Sequence, residues 1–109
     1  MDFAEYQAAA TETAVYPGRG ENLYYPAIGL NGEAGEVAEK VKKLMRDHDG
    51  ILTDEIAEGI AKELGDCMWY IAETATQIGA SLEAIAICNI DKLASRKARG
   101  VIGGDGDDR

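Results

Sequence analysis

The chain has 109 residues, enough for one domain with a modest core, and its 46% apolar content leans on alanine, with only 6% aromatic residues. A formal net charge of −9 argues against direct binding to DNA, RNA or an anionic membrane, each of which needs clustered cations. No apolar run approaches the roughly 20 residues that span a bilayer, and the opening MDFAEYQ lacks the basic and apolar regions of a signal peptide, so a soluble, cytoplasmic protein is expected.

Taken in order, residues 2 to about 15 read as a first helix with Phe3, Tyr6 and Ala10 on one side. Tyr16-Pro-Gly-Arg-Gly breaks it, and a connecting loop runs through Tyr25. Pro26 suits the first turn of a second helix, which extends to about Arg46 and ends at Asp47-His48-Asp49-Gly50. Gly29, Gly32 and Gly35 recur at three-residue steps within it and predict a close approach by another backbone or a ligand. Thr53 is a favourable N-cap for a third helix, with Asp54 and Glu55 in its first turn. That helix carries Ile56, Ile60, Leu64, Cys67, Ile71 and Ile78 at three- and four-residue steps, and Gly79 closes it. Ser81 caps a fourth helix through Leu82, Ile85 and Leu93 to about Arg99, and residues 100 to 109 form a glycine- and aspartate-rich tail. The expected architecture is all-α, a single four-helix, bundle-like domain over residues 1–109. Apolar surface left on the third helix, Met68 and Trp69 included, predicts assembly into a homodimer or a dimer of dimers. Cys67 and Cys88 lack zinc-site spacing and read as reduced core residues.

Two acidic pairs stand out: Glu33 with Glu36 on the second helix, and Glu63 with Asp66 on the third. Residues three apart share a helix face, and each pair lies at the edge of its helix's apolar stripe. Four carboxylates turned toward one another would repel and pay a desolvation cost, both of which a hard divalent cation removes. An all-oxygen set suits Mg²⁺, with Mn²⁺ possible, better than zinc. The alternative is ordinary solvated helix acids, in a chain with 20 acidic residues. On the fourth helix Lys92 and Arg96 stand four apart, with Asn89 three before Lys92; they could meet phosphate oxygens or simply complement the helix C-terminus. His48 sits in a polar turn, and Asp105 and Asp107 lack the rest of a calcium loop. Tyr24, Tyr25 and Trp69 could stack on a base, although core or subunit contacts explain them as well.

These residues resemble the MazG-like nucleotide pyrophosphohydrolases of the all-α NTP pyrophosphatase group. The family signature, E-x-x-E followed by E-x-x-D, is matched by Glu33-Ala-Gly-Glu36 and Glu63-Leu-Gly-Asp66 with 26 residues between, set in GLNGEAGEVAEKVKK and KELGDCMWYIA. NIDKLASRKARG follows, and both ends of the chain are similar to the short single-domain members of bacteria and phages. The resemblance implies that Glu33, Glu36, Glu63 and Asp66 bind Mg²⁺ and carry catalysis, and that Asn89, Lys92 and Arg96 contact substrate phosphates. The aromatic that usually follows the family arginine is Lys97 here. The implied reaction cleaves a nucleoside triphosphate between its α and β phosphates. Competing expectations are a sibling enzyme with a narrow substrate, such as one deoxynucleotide or phosphoribosyl-ATP, and a non-catalytic acidic helical module that regulates a partner.

Overall fold

The computed structural model covers residues 1–109 and contains four α-helices and no strand. Helix α1 spans Phe3–Glu12, α2 Tyr24–Asp47, α3 Asp54–Gln77 and α4 Leu82–Ala98. Three starts are capped as their sequences require: the side chains of Asp2, Thr53 and Ser81 accept from the amides of Glu5, Ile56 and Ala84. At α2 the cap comes from Asn22, whose Oδ1 accepts from Tyr25 N–H at 3.1 Å. That extra bond starts α2 two residues before Pro26, which is buried.

The long helices α2 and α3 pair as a hairpin; α1 lies on α3, and α4 touches α1 and α3 but not α2. The small core lies where three helices meet, with Leu82 seated on Ala10 and Ala72 and flanked by Tyr6 and Trp69. Gln7 ties the same elements through polar groups. Its Nε2 donates to Thr76 Oγ1 at 3.0 Å and to the Ala80 carbonyl at 2.9 Å, and its Oε1 accepts from Leu82 N–H at 2.8 Å.

The connection after α1 is held against α3 by a buried tyrosine. Helix α1 stops at Glu12, short of Val15, because the chain turns there to send Tyr16 inward. The Tyr16 hydroxyl donates to Glu73 Oε2 at 3.2 Å and accepts from Gln77 Nε2 at 2.7 Å. Burial first, then the Glu73 charge, pushes the Tyr16 hydroxyl above the ordinary phenol range. Glu73 is 1% exposed and its other oxygen, Oε1, has no partner. Tyr16→Phe should therefore leave a buried carboxylate with no partner on either oxygen, at a cost of about 1–3 kcal/mol. A urea-unfolding midpoint indistinguishable from the parent's would refute that role.

Only nine residues are buried, and the chain exposes 7655 Å². A compact monomer of 11.7 kDa exposes about 5,900 Å². The radius of gyration is 16.8 Å, against about 13 Å for a compact chain of this length. Helix α4 contributes much of the excess, with Ile85, Ile87, Ile90 and Leu93 all exposed, and Leu64, Met68 and Ile71 of α3 and Ile78 just past its end add to it.

Several local expectations need correcting. Cys88 is exposed on α4 rather than in the core, while Cys67 is half-buried and both thiols are free. Trp69 is half-buried within its own chain, where its Nε1 donates to Thr13 Oγ1 at 2.8 Å and Tyr16 packs edge-on to it at 6.3 Å. Of the three spaced glycines only Gly29 meets a close neighbour, the Tyr70 ring; nothing lies within 4 Å of a Cβ built at Gly32 or Gly35.

Candidate metal and nucleotide site

Pairing α2 with α3 brings three carboxylates together. One oxygen from each of Glu33, Glu63 and Asp66 lies within 4.8 Å of the others; the two glutamates are half-buried and Asp66 is exposed. The sequence dictates this by period: each residue stands at the edge of its helix's apolar stripe, so closing the hairpin on that stripe draws the edges together. Glu36, offset about 60° from Glu33 around the helix, is exposed and stands outside this group.

The electrostatics are those of crowded like charges. Partial burial, then the neighbouring charges of Asp66 and Glu63, push the Glu33 carboxyl above its ordinary range. One cation enters from the side, Lys40 Nζ, 3.5 Å from Glu63 Oε1. Lys40 is seven residues after Glu33, which brings it back to within about 20° of the same face of α2.

A shallow cavity of about 340 Å³ opens beside the acids, lined by Thr13, Glu33, Asp66, Trp69 and Tyr70. Its aromatic wall is braced from behind. Trp69 and Tyr70 meet edge to face at 5.0 Å, Tyr25 lies 6.5 Å from Tyr70, and Tyr16 stacks on Tyr25 at 4.7 Å. Burial, then Tyr25 and Glu33, hold the Tyr70 hydroxyl above the ordinary phenol range, so it stays a hydrogen-bond donor. Of the aromatic residues singled out in the sequence, Trp69 lines this cavity, Tyr25 supports it from behind, and Tyr24 is 79% exposed.

The α4 residues lie elsewhere in the chain. Asn89 and Lys92 line a separate cavity with Ser81, Ala84, Ile85 and Cys88. Arg96 is buried under the tail, where its Nη2 donates to the Asp107 carbonyl and its Nε has no partner. The tail is gathered around Arg109, whose guanidinium donates to the carbonyls of Val101, Ile102, Gly103 and Gly106.

The three convergent carboxylates can hold a metal ion. All the donors are oxygen, which fits a hard divalent cation, and crowding them is costly without one. Residues 27–101, which include both acidic pairs, match the MazG nucleotide pyrophosphohydrolase domain. The chain belongs to the MazG family. It is also 51% identical over 109 residues to the Gene 37 protein of Mycobacterium phage L5, covering 95% of this chain and 96% of that protein. No solved structure matches the chain. The matched MazG segment begins after Thr13 and Tyr16, so part of the cavity wall and its support comes from residues outside it. No helix is long and apolar enough to cross a membrane.

Proposed function

We propose that this protein is a Mg²⁺-dependent hydrolase that cleaves nucleoside or deoxynucleoside triphosphates between the α and β phosphates, acting on the cytoplasmic nucleotide pool. The observation that carries the reading is the convergence of Glu33, Glu63 and Asp66, drawn from both acidic pairs, within 4.8 Å in a chain of the MazG family.

Glu33, Glu63 and Asp66 hold the cation, with Mn²⁺ a workable substitute. When bound, it neutralises triphosphate charge and acidifies water. Glu36, on the same helix and outside the three-carboxylate group, is the glutamate left free to accept the proton of the attacking water. The wall of Trp69 and Tyr70 borders the carboxylates and offers a face for the nucleoside. The surplus apolar surface of α3 and α4 is covered by further copies of the chain, as a homodimer or homotetramer. The 7655 Å² that the chain exposes exceeds the roughly 5,900 Å² of a compact monomer by more than the roughly 800 Å² each partner gives to a standard interface. Since α4 does not touch α2 within one chain, Asn89 and Lys92 meet the nucleotide only where assembly brings an α4 over the hairpin. Arg96 joins them only by leaving the Asp107 carbonyl.

The test is incubation of the purified protein with a panel of NTPs and dNTPs plus Mg²⁺, assaying pyrophosphate and monophosphate. The expected result is equal release of both, from a particle whose solution mass is a multiple of 11.7 kDa. Release of orthophosphate alone, or no turnover of any nucleotide, would overturn the assignment.

A further inference from the structure

Seven residues of α2, Lys40 to Arg46, hold four of the eleven cations in a chain of net charge −9. Two of the four are committed to acids. Lys42 Nζ lies 2.8 Å from Glu39, and Arg46 donates to both Asp47 oxygens at 2.8 Å. The other two are held loosely. Lys43 Nζ is 3.8 Å from Glu39 and Lys40 Nζ is 3.5 Å from Glu63, both longer than the roughly 2.7–2.9 Å of a charge-assisted hydrogen bond.

Both loose ammonium groups face one cavity of about 420 Å³ between α2 and the start of α3, lined also by His48, Thr53, Ile56 and Gly59. That volume lies within the range of small-ligand sites. Across the hairpin Lys40 faces Gly59, where even an added Cβ would come no closer than 3.8 Å to Nζ. The start of α3 adds its positive helix end, offset by Asp54 in the first turn and by Glu55 on the cavity wall. The placement matters most. Lys40 borders this cavity and also touches Glu63, so the cavity continues the carboxylate site along the α2–α3 groove.

We propose that the Lys40–Lys43–His48 cavity is the pyrophosphate subsite, holding the β and γ phosphates of the substrate and then the departing product. The assignment rests on the hydrolase reading above and specifies where its leaving group sits. Water oxygen forms the new bond to the α-phosphorus, and the bond from that phosphorus to the α–β bridging oxygen breaks. The bridging oxygen leaves with the electron pair as part of pyrophosphate. Lys40, beside Glu63, meets the phosphates nearest the carboxylates; Lys43 and His48 take the distal end. Lys40 balances the negative charge gathering on the leaving group, and Lys43 and His48 act in binding.

The probe is inorganic pyrophosphate, titrated calorimetrically into the full-length protein with and without Mg²⁺, beside steady-state kinetics with a triphosphate that the parent turns over. Lys43→Ala and His48→Ala touch none of the three clustered carboxylates and are exposed, so the helical circular dichroism signal should be unchanged. Together they are expected to weaken pyrophosphate binding about tenfold and to raise KM similarly, with kcat and monophosphate affinity unaltered. Unchanged pyrophosphate affinity in the double variant would overturn the subsite, as would a parent protein that binds no pyrophosphate. Absence of turnover, with pyrophosphate still bound by the parent and lost in the variant, would instead overturn the hydrolase reading and keep the anion site.

Discussion

Asp66→Asn is expected to lower nucleotide turnover by about a thousandfold or more while leaving the chain fully helical. Asp66 supplies one of three oxygens lying within 4.8 Å of one another, and an amide is a poor replacement for a carboxylate toward a hard cation. The substitution also separates metal binding from folding. In metal-free buffer it removes one of three crowded negative charges, so the variant should melt no lower than the parent and somewhat above it. Mg²⁺ at ten times its dissociation constant should stabilise the parent by about 1.4 kcal/mol. For a domain of this size that is a rise of several degrees in Tm, which the variant should lack. Equal Mg²⁺ shifts in the two proteins, or undiminished activity in the variant, would remove Asp66 from the site. Glu36→Gln should also abolish turnover, but it should preserve the Mg²⁺ shift because its carboxylate lies outside the cluster.

Gly29→Ala is expected to destabilise the fold by about 1–3 kcal/mol, the usual range for overpacking. A Cβ at this position would penetrate the Tyr70 ring. That ring packs against Trp69 at 5.0 Å and Tyr25 at 6.5 Å, so it cannot move without disturbing the wall beside Glu33 and Asp66. Gly32→Ala is the matched control, since nothing lies within 4 Å of its added methyl. It should gain up to about 1 kcal/mol of helix propensity. Thermal melts of the two variants should shift in opposite directions. A stabilised Gly29→Ala would show that Tyr70 has another place to go.

The helices and the acid cluster were legible in the sequence because both follow from the 3.6-residue period. Glu33, Glu63 and Asp66 border apolar stripes, and stripes must be buried. Lys40 stands one face-repeat beyond Glu33, but that spacing does not mark it out in the sequence, and only the closed hairpin shows that it reaches Glu63. Contacts without a local pattern were beyond that arithmetic. Trp69 meets Thr13 across 56 positions and Tyr16 meets Glu73 across 57, and no spacing rule links either pair. Trp69 thus looked like an exposed apolar residue, when the chain before α2 folds back to cover part of it. The glycine series misled in the opposite direction. Three equal steps imply one shared cause, yet only Gly29 faces a ring, and an α-helix turns its i+3 and i+6 positions progressively away from it. The fate of Arg96 was equally hidden, because its partner is a main-chain oxygen of the tail, which any residue type could have supplied.

With so little interior of its own, the chain would gain folding free energy from any partner that sealed α3 and α4. If that seal is another copy of itself, folding obeys mass action: the transition temperature climbs with protein concentration, and dilution alone behaves as a denaturant.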